Sequence, residues 1–468
     1  MAEVTETATP ATGSWRALLG REHGGAATVL AGGVLLYATN EFLTNSLLPS
    51  AVADIGGQKY YAWVTAVYLI ASVIAATTVG PLLARGGPRL AYLVTLAFFG
   101  LSSAGCAIAP TMETLLVART VQGLAGGSLA GLGYAVIRAA LPESLWTRAS
   151  ALVSAMWGIS TLTGPAAGGL FAQFGLWRWA FGSLTILTGL MAVLVPAAFP
   201  ARAPDDDGVP LVRIPVWSLL LLGAAALAVS VAGVQSAAAA TAVFLAAGVG
   251  LVGCFLFVDR RVRHSVLPRM AFGPGPLKWM YVTIGLLMAA TMANMYVPLF
   301  GQRLAHLMPV TAGFFGAALA VGWTLSEIVS ASVTGTRHVH RLVSVAPLVA
   351  AVGLGLAALT QQSGASPVVV AVWAVAHFIV GTGVGMAWPH LSAWVMGSVD
   401  DPVEGGAAAA AINTVQLISG AVGAGLAGVV VNLVDASDLS AARWLFTVFA
   451  VLAAVGTVAS VRASRTGP

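Results

Sequence analysis

Apolar runs of about 20 residues, the length an α-helix needs to cross the hydrocarbon core of a bilayer, recur along the whole chain. A helix that is apolar on every side has no face to turn to water. Only 8% of the 468 residues are charged, against 58% hydrophobic, where a soluble domain carries about 25% charged residues. The runs therefore specify an all-α integral membrane protein. The alternating ten-residue segments of a membrane barrel do not occur.

Spans are expected near 27–49, 62–83, 90–109, 112–139, 147–172, 179–199, 216–234, 239–258, 278–299, 311–333, 342–360, 367–388, 405–432 and 442–461. Fourteen is an even number, so both termini fall on one side. Basic residues decide which side, because cytoplasmic loops retain Lys and Arg. With the N-terminus inside, seventeen of the 22 Lys and Arg are cytoplasmic and Arg119 lies within a span; only Lys59, Arg178, Arg303 and Arg443 are left outside. Scattered through short loops in this way, the net charge of +5 sets topology and gives no reason to expect a nucleic-acid partner. Residues 1–26 lack the apolar core of a signal peptide and read as a cytoplasmic tail, as do 462–468. Trp63, Trp177 and Trp179 fall near span ends, where interfacial aromatics sit. Cys106 and Cys254 fall within spans and read as packing residues rather than a disulfide or metal site.

The two ends of the chain echo each other. Ala84-Arg85-Gly86-Gly87-Pro88-Arg89-Leu90 opens the third span, and Thr336-Arg337-His338-Val339-His340-Arg341-Leu342 opens the eleventh with the same Arg-x-x-x-Arg-Leu spacing. Ile159-Ser160 is followed by Gly164 and Gly169; Ile418-Ser419 is followed by Gly423 and Gly428 at the same intervals. The expected organisation is a six-span bundle over 27–200, linkers and an inserted pair over 201–277, and a second six-span bundle over 278–461. Repeated bundles around a site at the midplane are the architecture of a secondary transporter.

Four stretches add a resemblance. They are Arg119-Thr-Val-Gln122-Gly123, Gly158-Ile-Ser-Thr-Leu-Thr-Gly164-Pro165-Ala-Ala-Gly168-Gly169, Gly80-Pro-Leu82-Leu-Ala-Arg85-Gly-Gly87-Pro-Arg89 and Asn45-Ser-Leu-Leu48-Pro49. On these the chain resembles the major facilitator superfamily, and within it the fourteen-span drug:proton antiporters. The resemblance implies two pseudo-symmetric six-helix bundles with an inserted pair, and export rather than uptake. It gives Arg85 and Arg89 a gating role, and Gly158, Gly164, Pro165, Gly168 and Gly169 a role in helix packing. The glycines strip one flank of the fifth span of side chains, and Pro165 removes a backbone donor. The chain departs from the family twice. Ala84 stands where the loop motif has an aspartate, so that carboxylate's gating contact cannot form. Asn40 stands where the first-span aspartate is usual, and Glu41 follows it, about 100° further round a helix.

Three formally charged residues sit at membrane depth: Glu41, Arg119 and Glu327. Each costs roughly 2.5–3.5 kcal/mol on insertion scales, so such residues usually face an interior and have a function. At a rise of about 1.5 Å per residue, Glu41 and Arg119 both lie about 11–12 Å below the outer boundary. The first and fourth helices are neighbours in the facilitator fold, so a Glu41–Arg119 contact is allowed. Low dielectric favours a protonated carboxyl and a nearby guanidinium favours the ionised form, so moving one against the other would switch proton binding. The plainer alternative is a static pair or a snorkelling glutamate. Glu327 either reaches the interface, pairing with Arg337 or Arg341, or serves as a second proton site.

Candidate substrate contacts are Asn40, Asn45, Gln122, Asn413 and Gln416, which otherwise bridge helices, and His377, which otherwise packs. Met288, Met292 and Met295 recur beside Asn294 and Tyr296 in the ninth span; they are either a pliable cavity lining or ordinary packing. Nothing in the sequence points to enzyme chemistry. There is no G-x-x-x-x-G-K-[ST], no H-E-x-x-H and no G-x-S-x-G, so no nucleotide, metal or other cofactor is expected. The reading is a proton-coupled exporter of small, mostly hydrophobic or amphipathic compounds, drugs or secondary metabolites. It would work by alternating access as a monomer in a bacterial cytoplasmic membrane, with substrate, protons and the bilayer as its partners. The rivals are a lipid exporter of the same fold and a non-transporting sensor or scaffold.

Overall fold

The computed structural model describes residues 14–76, 78–199, 215–262, 265–333, 335–398, 402–434 and 437–466. Among these residues the chain forms helices and turns without a strand. The long helices of the first half are α1 (Gly24–Ile55), α2 (Trp63–Ala76), α3 (Val79–Ile108), α4 (Met112–Ala135), α5 (Trp146–Gln173) and α6 (Trp177–Ala198). Then come α7 (Val216–Ala232) and α8 (Ala238–Asp259). The second half holds α9 (Leu277–Ala305), α10 (Pro309–Ala331), α11 (Thr336–Thr360), α12 (Pro367–Gly397), α13 (Pro402–Leu433) and α14 (Asp438–Thr466). Eleven of these are long and apolar enough to cross a membrane. The helices α2, α5 and α7 do not meet that standard on the described residues, so fourteen crossings stay an expectation.

Two breaks shape the bundle. The connection expected over 84–89 is a tight one: the stretch Val79–Ile108, here α3, is two helices that meet at Gly87, with φ 65° and ψ 179°. Only glycine adopts that backbone readily, and Pro88 restarts the helix with a preset φ. In α9 the α-helix gives way to a 3₁₀ stretch over Met292–Tyr296. Pro298, two residues on, has no N–H to offer the Asn294 carbonyl, which instead accepts from the Val297 N–H; this is how proline breaks the ladder one turn before itself.

Packing repeats between the halves. In the first, α1 packs on α4, α5 and α6, α2 on α4, and α3 on α4 and α6. In the second, α9 packs on α12, α13 and α14, α10 on α12, and α11 on α12 and α14. Each pair is the other with eight added to its numbers, so the chain forms two pseudo-symmetric bundles. Glycines at matching positions make matching contacts. A Cβ on Gly164 would lie 2.5 Å from Phe42 of α1, and one on Gly423 would lie 2.8 Å from Ala289 Cα of α9. One on Gly169 would meet Val310 Cα of α10 at 2.6 Å, and one on Gly428 would meet Ala62 Cβ, beside α2, at 2.8 Å.

The bundles touch along two seams, α5 against α10 and α2 against α13. The inserted helix α7 packs on both α2 and α13, with α8 outside it. Asp259, buried at the end of α8, accepts the backbone N–H groups of Val266 and Leu267 at 2.8 and 2.9 Å, fixing the connection that leads into α9. Side chains such as Leu101, Ile108, Val193, Val249 and Leu359 are exposed around the outside, an apolar belt suited to lipid.

The polar contacts between bundles gather at one face. Arg303 at the end of α9 donates to Gln58 Oε1 at 3.0 Å, Asn432 at the end of α13 to the Lys59 carbonyl at 2.8 Å, and Tyr61 to the Met295 carbonyl at 3.3 Å. The start of α1 and the end of α14 lie at the other face, the termini face. Towards it both seams part. Two turns from Pro165, whose carbonyl lies 2.9 Å from a Cβ placed on Gly313, a Cβ on Gly158 would meet nothing within 4 Å. Likewise Gly420 abuts Leu69 at 3.2 Å, whereas Asn413, seven residues earlier on α13, is exposed. The contact between the bundles is thus closer at the face of Arg303 and Tyr61 and looser towards the termini face. We read the space left between them as a cleft biased to open there.

Candidate functional site: a buried arginine and its neighbouring acid

The helix α4 starts at a capping box in which Thr111 and Thr114 satisfy each other's backbone N–H groups; such reciprocal bonds define where a helix begins. Arg119 and Gln122 follow on the face that α2 approaches. That approach depends on the glycine ending the motif: a Cβ on Gly123 would run into the Tyr68 carbonyl of α2. Gly126 and Gly127 continue the groove, against the Tyr68 hydroxyl and Ser72.

Arg119 is 1% exposed. Its Nη1 donates to Gln122 Oε1 at 2.6 Å and to Asn40 Oδ1 at 3.2 Å, and its Nε donates to the Val64 carbonyl at 3.2 Å. The guanidinium lies 4.1 Å from the centre of the Tyr68 ring, a cation–π distance. Gln122 in turn donates to Ser103 Oγ at 2.7 Å, with Cys106 Sγ 3.8 Å from its Oε1. Four helices therefore hold one cation through neutral acceptors. The Arg-x-x-Gln-Gly motif is a cradle: Gln122 orients the arginine and Gly123 admits the helix that supplies Val64 and Tyr68.

The expected contact between Glu41 and Arg119 is not formed. The helices do meet at matched depth, but Asn40 makes the bond. One residue is about 100° of helix rotation, which turns Asn40 into α4 and Glu41 away from it. Among the described residues Glu41 has no hydrogen bond and no ion pair within 4 Å. It lies within electrostatic range of Arg119, and its surface is part-accessible. Tyr37, one turn earlier on α1, stacks on Tyr68 with ring centres 5.8 Å apart and meets Trp157 of α5 edge-on at 5.6 Å. This aromatic wall beside the acid went unread in the sequence, although Tyr37 and Glu41 are four apart and share a helix face.

The second acid also differs from expectation. Glu327 pairs with neither Arg337 nor Arg341; its Oε2 accepts the Trp323 indole N–H at 2.9 Å, and Trp323 packs on Trp388 with centres 5.4 Å apart. Fourteen residues separate Gly313 from Glu327, close to four turns at about 3.6 residues each, so Glu327 lies on the flank of α10 turned to the first bundle. Its carboxylate is half-buried towards the open end of the cleft.

The remaining candidates divide by exposure. Asn413 is exposed and Gln416 half-buried on α13. Asn45 bridges helices, its Oδ1 accepting from Thr65 at 3.2 Å. Asn40 and Gln122 are wholly buried in the cradle. Met288 and Met295 are packed into the core, and Met292 lies against Gly420 and Gly423 of α13. Tyr296 is stacked between Tyr61 at 4.8 Å and Phe300 at 5.8 Å. His377 is buried among aromatics, with ring centres 5.6 Å from Phe315 and 5.3 Å from Phe446. Arg85 is exposed and Arg89 half-buried on either side of the Gly87 break. Gly164 and Gly168 sit against α1 and Gly169 against α10, while Gly158 opens on the cleft. No cluster of His, Cys, Asp or Glu suited to a metal occurs among the described residues.

Two pseudo-symmetric bundles of apolar helices, with a buried cation and a part-accessible acid between helices, define a multi-pass membrane transporter. The chain belongs to the Major Facilitator Superfamily, whose family model matches residues 30–424. It is 59% identical over 465 residues, 98% of either chain, to a probable multidrug-efflux transporter of Mycobacterium tuberculosis. It is 24% identical over 292 residues, 62% of this chain and 65% of the relative, to a multidrug efflux pump of Staphylococcus aureus. Among solved structures, a D-xylose-proton symporter superposes with a TM-score of 0.65 at 15% identity, covering 93% of this chain and 97% of that one. A POT family transporter superposes with 0.70 at 12% identity, covering 97% and 98%. At such identities these two speak for the fold alone.

Proposed function

We propose that the chain is a proton-coupled exporter of small, mostly hydrophobic or amphipathic compounds, working by alternating access. In this reading the termini face is cytoplasmic, in a bacterial inner membrane. The chain crosses fourteen times as a monomer, with bundles over 27–200 and 278–461 and the inserted pair between them. The name of the 59% identical relative supports efflux. The observation that supports proton coupling is Glu41: an acid at membrane depth with no hydrogen-bond or ion-pair partner among the described residues, part-accessible and within electrostatic range of Arg119.

Arg119 is locked to neutral partners, so it supplies a constant positive field and does not act as a movable counter-ion. What changes as the bundles rock is the access of Glu41 to water and substrate. An open cleft solvates the ionised carboxylate; a closed one strips water from it and favours the protonated form. A substrate entering from the cytoplasm meets Asn413 and Gln416 on α13, and displaces the proton at Glu41 when it reaches the aromatic wall. Glu327, nearer the mouth, is placed for a second proton.

The test is proton flux in proteoliposomes on adding candidate hydrophobic cations, neutral drugs and lipids. Glu41→Gln is expected to abolish substrate-induced proton movement while leaving substrate binding measurable by Trp fluorescence. Uphill export by Glu41→Gln, driven by an imposed proton gradient, would remove the proposal.

A further inference from the structure

The inserted helices α7 and α8 have no counterpart within the repeat, and the coupling scheme above does not use them. Their packing is specific at one point, the last turn of α7. Carbonyls there have no intrahelical partner four residues on, and both bundles use them. Trp63, at the start of α2, donates its indole N–H to the Ser230 carbonyl at 2.9 Å. Asn432, at the end of α13, donates its amide to the Gly233 carbonyl at 2.9 Å and to the Lys59 carbonyl at 2.8 Å. One side-chain amide thus joins the first bundle, the second bundle and the inserted pair.

The two attachments are unequal. Towards α13 the approach is backbone to backbone: a Cβ on Gly233 would meet Val429 N at 3.0 Å and Gly428 C at 3.1 Å. One on Gly425 would meet Ser230 Oγ at 2.9 Å and Ser230 N at 3.0 Å. Towards α2 the contact is through side chains, with Ile70 Cγ2 3.4 Å from a Cβ on Gly223 and the single Trp63 bond above it. Interdigitated backbones shift as a unit, whereas one indole bond can be exchanged for water.

The structure assigns the inserted pair a mechanical role: α7 is fixed to the second bundle and clasps the first through Trp63, so the sealed face opens only when that clasp lets go. This rests on the alternating-access reading. It is independent of proton coupling, because nothing in the clasp touches Glu41 or Arg119.

The test is pulsed electron paramagnetic resonance on the full chain in proteoliposomes. Cys254 is exposed and Cys106 buried, so Cys254→Ser provides the background. Spin labels go on Phe174→Cys in the first bundle, Gln362→Cys in the second and Ser236→Cys between α7 and α8, all exposed positions at the sealed face. Opening is expected to lengthen the 174–362 and 174–236 distances together and leave 236–362 unchanged. Trp63→Phe keeps an aromatic ring but removes the donor. One neutral hydrogen bond corresponds to about a five-fold shift in a two-state population, so the long 174–362 population should rise by about that factor. Asn432→Leu, which loses two bonds, should raise it further. The inference is overturned if 236–362 lengthens along with 174–362, or if neither substitution changes the 174–362 distribution. Retention of uphill export by Glu41→Gln, by contrast, would leave these distances untouched.

Discussion

Arg119 is a full positive charge, 1% exposed, held by an asparagine, a glutamine, a backbone carbonyl and the face of a tyrosine. Removing a buried hydrogen-bonded group leaves its partners' desolvation uncompensated, at about 1–3 kcal/mol for each orphan. Arg119→Met is therefore expected to lower the unfolding midpoint in detergent markedly, and Arg119→Lys nearly as much. A single ammonium on a flexible stem cannot span three acceptors that a guanidinium fork reaches at once. If Arg119→Lys unfolds at the wild-type midpoint in scanning fluorimetry, the cradle is not what holds the four helices together. At this scale the sequence was legible in depth but not in rotation. Matched distances from the span ends brought α1 and α4 together at the right level. Which of Asn40 and Glu41 turns into α4 depends on helix rotation, which is set by packing against α4, α5 and α6 and is invisible in the local sequence.

The helices are positioned by backbone contacts that only glycine permits, and those contacts can be ranked. A Cβ on Gly381 of α12 would collide with the Leu319 carbonyl of α10 and lie 2.7 Å from Trp323 N. Gly381→Ala should destabilise the second bundle by about 1–3 kcal/mol or block folding, as overpacking against backbone does. Gly158→Ala meets nothing within 4 Å. It should be neutral or stabilise α5 by roughly 0.5–1 kcal/mol, the ordinary gain of alanine over glycine in a helix. The comparison needs only yield and melting midpoint of the two purified variants. A wild-type midpoint for Gly381→Ala would contradict the packing of α10 on α12. The existence of each long helix read well from hydropathy, since a bilayer imposes the span length. The ends did not: α1 runs on to Ile55 and α12 to Gly397, beyond the expected 49 and 388, because helices continue past the hydrocarbon core. The breaks read less well. The connection expected from the arginines and the Gly-Pro pair is present, but as a sharp kink at Gly87 between two helices and not as an open loop. The 3₁₀ stretch in α9 was passed over although Pro298 marked it, because its apolar sequence suits either helix geometry.

Across the whole molecule, the internal repeat seen in Ile159-Ser160 and Ile418-Ser419 with their trailing glycines has a physical counterpart: matching glycines seat matching helices. Both seams consequently close and part at matching heights. Asn413→Cys, in the Cys254→Ser background, is expected to react with a membrane-impermeant maleimide from the termini side at least about ten-fold faster than Ala62→Cys does from the other side. That factor corresponds to about 1.4 kcal/mol of bias between the two closures. Equal rates would mean that the cleft is not preferentially open at the termini face. What composition could not convey is how the seams differ. Along α2 and α13 the inserted helix α7 packs on both; along α5 and α10 the described helix that packs on both is α1, a member of the first bundle. When the bundles separate, one flank carries a helix from outside the repeat and the other only helices of the bundles themselves. A change in lipid tail length or unsaturation would then press on the moving parts from a single side, so the bilayer would act on this protein as a lever and not as an even squeeze.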